Sequence, residues 1–279
     1  MADSRVMGLI AGEGRLPVLV ARGMRSQGLR VSCVAFRGHA DASLEACCDD
    51  FREVSLYRPG SWIRRLRGWG VRDTVMVGRV AKTRMHDPWR LVRDLPDWRA
   101  LRLWYRRLRH DRRDRAVLAA VADELARGGI ELIDSTTHIS EHLAGAGQLG
   151  AVACSSQQQA DIDFGWPLLR ASTDMGLGQA MVVRDGDVIA VEAIEGTAAM
   201  IRRAGELCRA TGWTLLKTAA ADHDRRADVP TVGVETVQQL AQSGGGALVV
   251  GTGRVILLDH EAVVEACDKA GIAMVGVDA

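Results

Sequence analysis

The chain has 279 residues, 47% hydrophobic and 25% charged, which is enough for two compact domains of ordinary size. A formal net charge of +1 lacks the global cationic excess of a nucleic-acid binder, so nucleic acid is not expected as a partner. No apolar run approaches the ~20 residues of a membrane-spanning helix, and the six cysteines form no CxxC pair or zinc-finger spacing, which points to reduced thiols in a cytoplasmic protein. The amino terminus shows no basic segment followed by an apolar stretch and a small-residue cleavage site, in keeping with that location.

Residues 6–17, VMGLIAGEGRLP, predict a short strand, a glycine turn and a helix with Pro17 in its first turn. Gly12 and Gly14 let the backbone approach a ligand beside the free amides of that helix, although the third glycine of a dinucleotide fingerprint is absent. A tight turn with nothing bound accounts for the same residues. Strands are expected at 30–36, 73–80 and 130–133, with an amphipathic helix at 117–127 closed by Gly128 and Gly129. Strands alternating with helices predict a doubly wound, Rossmann-like α/β domain over residues 1–140. Gly12, Gly14, Gly78 and Lys82 would then fall at the carboxyl ends of its strands, as candidate substrate-binding residues. Residues 90–115 carry ten arginines with Trp98, Trp104 and Tyr105 among them. Such a segment suits an anionic lipid surface, or, with Asp94, Asp97, Asp111 and Asp114, an ion-paired helical face.

Composition turns to Gly, Ala, Ser and Gln over 145–159, the expected domain junction, and a second α/β domain with a mixed sheet is predicted over 155–279. Its signals are a hairpin at Asp185-Gly186 between strands 181–183 and 188–191, a helix at 198–204 capped by Thr197, and a strand at 213–216. A helix near Glu235 with Thr236 as a possible cap, strands at 247–250, 255–258 and 273–277, and a helix at 259–270 complete it. Glu195-Gly196-Thr197 would set a carboxylate beside exposed helix amides.

Between strand 213–216 and Pro230 the pattern breaks into a charged segment with Asp222, His223, Asp224, Arg225, Arg226 and Asp228. Carboxylates that can hold Mg²⁺ or orient a water, next to guanidiniums that bind phosphate oxygens, form a composition suited to phosphate chemistry. A solvated loop with local ion pairs has the same composition.

GLIAG with Leu16-Pro17, Gly78-Arg79-Val80, Asp161-Ile162, Gly178-Gln179, AVEA followed by Glu195-Gly196-Thr197, RADVPTVG at 226–233, and the closing Gly276-Val277-Asp278 resemble one family end to end. It is the UDP-2,3-diacylglucosamine pyrophosphatase of lipid A biosynthesis, of the LpxI type. The resemblance implies a cytoplasmic, Mg²⁺-dependent homodimeric enzyme that cleaves this lipid-linked nucleotide sugar to UMP and 2,3-diacylglucosamine 1-phosphate, with possible peripheral contact at the inner membrane. It further implies Asp228, Arg226 and Asp224 as catalytic, Asp228, Asp224 and Glu195 as metal ligands, and Gln179, Glu195, Gly196, Thr197 and Lys217 as substrate contacts. The chain departs from the family at Gly176, Ala180 and Ala198, at Ala220-Ala221 where Lys-Pro is usual, and at His223 where Gln is usual. These departures leave a second class open, a non-catalytic relative that binds a nucleotide- or lipid-linked phosphate.

Overall fold

The apolar run Val6–Ala11 forms β1, the centre of a parallel sheet with β2 (Arg30–Phe36), β3 (Asp50–Val54), β4 (Asp73–Val77) and β5 (Glu131–Leu132) in the order β3-β2-β1-β4-β5. The structure, a computed structural model, describes residues 5–79, 95–105, 109, 114–226 and 229–278. Helices α1 (Leu16–Ser26), α2 (Pro59–Gly68), α3 (Trp98–Leu103) and α4 (Asp114–Arg127) belong to the same unit. Ile10 and Val34 pack with Trp62, Leu66 and Leu125, while their strand neighbours Leu9 and Cys33 are equally buried, so both faces of the sheet are covered. Each such fully buried large side chain contributes about 1.5–3 kcal/mol. This is the expected doubly wound arrangement. The expected strand at 73–80 stops at Val77, because Gly78 and Arg79 turn away to bridge Gly12 and Glu13.

The second unit begins at Ser140. Its mixed sheet has the order β6-β13-β11-β9-β7-β8, from β6 (Gly147–Gln148), β7 (Ala180–Arg184), β8 (Asp187–Val191), β9 (Trp213–Lys217), β11 (Gly245–Gly251) and β13 (Ala273–Val277). The short strands β10 (Thr231–Val232) and β12 (Ile256–Leu257) pair separately. Strands β9, β11 and β13 are parallel, whereas β7 and β8 form an antiparallel hairpin on β9. Helix α5 (Ser156–Asp174) opens with a capping box between Ser155 and Gln158, so the Gln-rich stretch is a helix start rather than a linker. At Gly165 this helix approaches the sheet so closely that a Cβ would stand 2.6 Å from Leu216 and Val183. Buried Asp161 on α5 accepts a bond from Gly186 N (3.0 Å) and so pins the hairpin turn.

Helix α6 (Thr197–Leu207) starts one residue earlier than expected, with Gly196 as its cap and Thr197 already helical. Likewise α7 (Val234–Gln242) is capped by Gly233, and Thr236 lies within it. Helix α8 (His260–Ala270) follows Asp259. The chain also crosses between units a second time: Asp224–Asp228 group with the first unit, and the second resumes at Val229.

Candidate active site

Parallel strands β9, β11 and β13 bring their carboxyl ends to one edge of the second sheet, where doubly wound proteins bind ligands. The antiparallel hairpin adds the residues flanking it: β7 enters from this edge, so Gln179 lies there, and β8 ends there, so Glu192 does too. Lys217 closes β9 with only 5% of its surface exposed. Its Nζ donates to Thr197 Oγ1 (2.6 Å), which donates in turn to Glu192 Oε1 (2.8 Å); Glu192 Oε2 accepts from Gln179 N (3.3 Å). A buried ammonium is tolerated only where polar groups replace its water, and this chain of bonds supplies them. Gly178 makes it possible: at φ +127° it takes a conformation open to glycine, and a Cβ there would meet Glu192 O at 2.2 Å.

Thr197 therefore does not cap its own helix. Gly196, at φ 80°, delivers the chain into α6 with no side-chain cap, leaving the first amides directed out of the helix. An ammonium, a hydroxyl and a helix amino terminus converge at one sheet edge, and together they suit the oxygens of a phosphate. The loop beyond Lys217 is held by Arg254, whose Nη1 donates to Ala219 O (3.1 Å), and by Gly251, where a Cβ would lie 2.2 Å from Thr218 Oγ1.

The segment in the first unit is organised by ion pairs. Arg226 grips Asp224 through Nε (2.8 Å) and Nη2 (2.6 Å), and its backbone N donates to the same carboxylate (3.1 Å). Hydrogen bonding to Asp224 raises the Arg226 pKa over the opposing effect of burial, with smaller help from the Asp224 and Asp123 charges. Arg225 binds the loop after β5: its Nη2 donates to Thr136 Oγ1 (2.8 Å), its Nε lies 3.3 Å from Asp134, and its carbonyl accepts from Ser135 N (3.0 Å) and Oγ (2.7 Å). Asp228 and Lys82 lie outside the described residues.

At the edge of the first sheet, the glycines divide by role. Gly12 and Gly78 press backbone to backbone: Gly12 N donates to Val77 O (2.9 Å), and a Cβ on Gly12 would stand 2.6 Å from Arg79 O. Gly14, at φ +97°, faces open space before α1. Close beside it, His39 Nδ1 lies 2.7 Å from Glu13 Oε1.

Of the residues expected to hold Mg²⁺, Asp224 and Glu195 are each engaged by an arginine. Both oxygens of Asp224 are taken by Arg226, and Glu195 accepts from Arg203 (2.6 Å) at the surface of the second unit. The Glu195 pKa is lowered by its own backbone amide first, with Arg203 adding to it. Among the described residues no three His, Cys, Asp or Glu side chains cluster as a metal site. The residue that sequence reasoning missed is Glu192. Its sequence signals are its place in the AVEA stretch and at the end of β8, five residues before Thr197.

Residues 6–142 match the LpxI N-terminal domain and residues 145–275 the LpxI C-terminal domain. The chain is 32% identical, over 98% of both chains, to the UDP-2,3-diacylglucosamine pyrophosphatase LpxI of Caulobacter vibrioides. Among solved structures, the biotin carboxylase subunit of pyruvate carboxylase matches 73% of this chain and 41% of that one, at 11% identity and a TM-score of 0.26. A likeness of that degree bears on neither fold nor function.

Proposed function

The chain belongs to the LpxI family, and from that premise we propose that it hydrolyses the pyrophosphate bond of UDP-2,3-diacylglucosamine, a step of lipid A biosynthesis, releasing UMP and 2,3-diacylglucosamine 1-phosphate. Water adds to one phosphorus, the bridging P–O bond breaks, and the bridging oxygen leaves on the other phosphate. The observation that carries this reading is buried Lys217, seated on Thr197 at the opening of α6. Its ammonium and the helix amides would meet the charge of the diphosphate and hold it in place while the bond breaks. Asp228, next to Arg226 in sequence, is proposed to orient the attacking water, and Gln179 and Gly14 to contact the substrate.

Mg²⁺ is proposed on the family resemblance alone, with Asp228 as its first ligand; when bound, the ion would neutralise phosphate oxygens. The homodimer and the cytoplasmic location are proposed on the same ground, and light scattering tests the dimer. Purified protein incubated with UDP-2,3-diacylglucosamine should release UMP, the release should stop with EDTA and return with Mg²⁺, and Lys217→Met should abolish most of it. Tight substrate binding with no UMP formed under any of these conditions would instead establish the non-catalytic relative.

A further inference from the structure

Helix α3 buries none of its residues, and the contacts that hold its start are polar. Asp97, its cap, accepts from Ala100 N (2.9 Å) and from Gly60 N in the first turn of α2 (2.7 Å). Arg99 reaches Glu124 of α4 (2.6 Å), a carboxylate that also holds Arg127 (2.9 Å), and Arg58 Nε donates to Leu95 O (2.9 Å). With the helix pinned this way, Leu95, Leu101 and Trp104 are left exposed together with Trp98 (78% exposed) and Tyr105 (67%). Soluble surfaces rarely gather large apolar side chains so densely without a partner.

The neighbouring chemistry says which partner. A groove of ≈ 380 Å³ beside α3 is lined by Gly60, Ile63, Arg64, Arg67 and Arg99. Among the described residues Arg64, Arg65 and Arg67 meet no carboxylate, although other arginines of this unit are ion-paired. Tryptophan and tyrosine beside unneutralised arginines match a bilayer interface, where rings sit at headgroup depth and guanidiniums meet phosphates. We propose that α3 and the arginine-bearing side of α2 form a docking surface for an anionic lipid bilayer. Trp98, Leu101, Trp104 and Tyr105 enter the boundary between headgroups and acyl chains, and Arg64 and Arg67 bind lipid phosphates. The inference deepens the proposed function, because a diacylated substrate resides in a bilayer, and it rests on that reading for this reason. Vesicle binding needs no turnover, so the failure of either is distinguishable from failure of the other.

Co-sedimentation with phosphatidylcholine vesicles, with and without phosphatidylglycerol, reads the surface directly. Binding should require the anionic lipid and weaken with salt. Arg64→Gln with Arg67→Gln should lower affinity about thirtyfold, each cation near an anionic surface being worth about fivefold. Trp98→Ser with Trp104→Ser should leave only weak binding that salt abolishes, with thermal melts confirming that the variant stays folded. The proposal is overturned by binding that ignores lipid charge or survives both double variants. It is equally overturned if a lipid-independent dimer dissociates when Trp98 is replaced, since a second copy would then cover this face.

Discussion

The ammonium of Lys217 lies 2.6 Å from the hydroxyl of Thr197, twenty residues earlier in the chain, at the point where β9 ends and α6 begins. That one bond gives a buried cation a direction. It keeps Nζ at the sheet edge instead of letting a flexible four-carbon stem sample other positions. Lys217→Met should therefore lower kcat/KM by roughly 10²–10³-fold, the usual scale for losing a fixed group that stabilises transition-state charge. Lys217→Arg should recover little, because a planar fork cannot occupy the same bond to Thr197. Steady-state UMP release checks both, and near wild-type rates for either would place the phosphate elsewhere.

Glu192 should act on the substrate only through these neighbours. Its carboxylate touches Thr197 and Gln179 N. Glu192→Ala leaves two donors without their acceptor, at a cost of about 1–3 kcal/mol of stability. In a double-mutant cycle with Thr197→Val, the two changes should couple by about 0.5–3 kcal/mol, because they remove the same bond. Additive effects in denaturant melts would show that Glu192 and Thr197 act independently.

The elements were legible where a local pattern carries them. Arg30–Phe36 and Ala273–Val277 are apolar runs bounded by charge or glycine, and Asp185-Gly186 supplies the turn that closes β7 on β8. Two features were not legible. Glu192 meets Gln179 only because β7 and β8 pair antiparallel, and no short-range spacing encodes that register. The grouping of Asp224–Asp228 with the first unit depends on Arg225 meeting Asp134–Thr136, some 90 residues away, and a charged stretch without periodicity gives no hint of such a partner. Thr197 looks like a cap in the sequence for a related reason. Local rules favour a threonine before a helix, but Lys217 and Glu192 claim its hydroxyl.

The first-unit glycines separate packing from binding. Gly12→Ala drives a methyl against the Arg79 carbonyl and should cost about 1–3 kcal/mol. Gly14→Ala meets open space but must hold φ +97°, at a cost of about 1–2 kcal/mol. Thermal melts should rank Gly12→Ala as the more damaging. Substrate affinity, measured by calorimetry, should fall for Gly14→Ala beyond what its melting temperature explains if the diphosphate approaches this turn. Unchanged affinity would make Gly14 a turn residue alone.

His138 should give the first unit a pH dependence. Its Nδ1 pairs with Gln27 Oε1 (2.6 Å), and its buried Nε2 has no partner among the described residues. Protonating Nε2 would bury a new donor and a charge. Burial, assisted by the Arg5 charge, accordingly holds the His138 pKa below the ordinary histidine value. A folded pKa below the unfolded one means that the unfolded chain takes up the proton first. The stabilisation is complete above the unfolded value of about 6.5 and is lost as pH falls through the lower folded pKa. Denaturant melts from neutral pH downward should show stability declining over this window, and His138→Gln should flatten that decline. An unaltered slope in the variant would move the titration to another group.

Arg225 links the first unit's scaffold to the segment that carries Asp228 in sequence, which makes it the most informative single target outside the second sheet. Its carbonyl accepts two bonds from Ser135, and its guanidinium reaches Thr136 and Asp134, while next in line Arg226 is committed to Asp224. If Asp228 orients the attacking water, its placement depends on this anchor, and displacement of a reacting group by about 1 Å can cost roughly 100-fold in rate. Arg225→Ala should lower kcat by about 10–100-fold with KM little changed, because the diphosphate is proposed to be held at Lys217. Stability should fall only slightly, since the guanidinium pairs are partly exposed and water replaces them. Asp228→Ala should reduce kcat at least as far, and the double variant should be no slower than Asp228→Ala alone, because the anchor has no purpose once the carboxylate is gone. A double variant slower than either single one by the product of their effects would show that Arg225 serves catalysis by a route of its own.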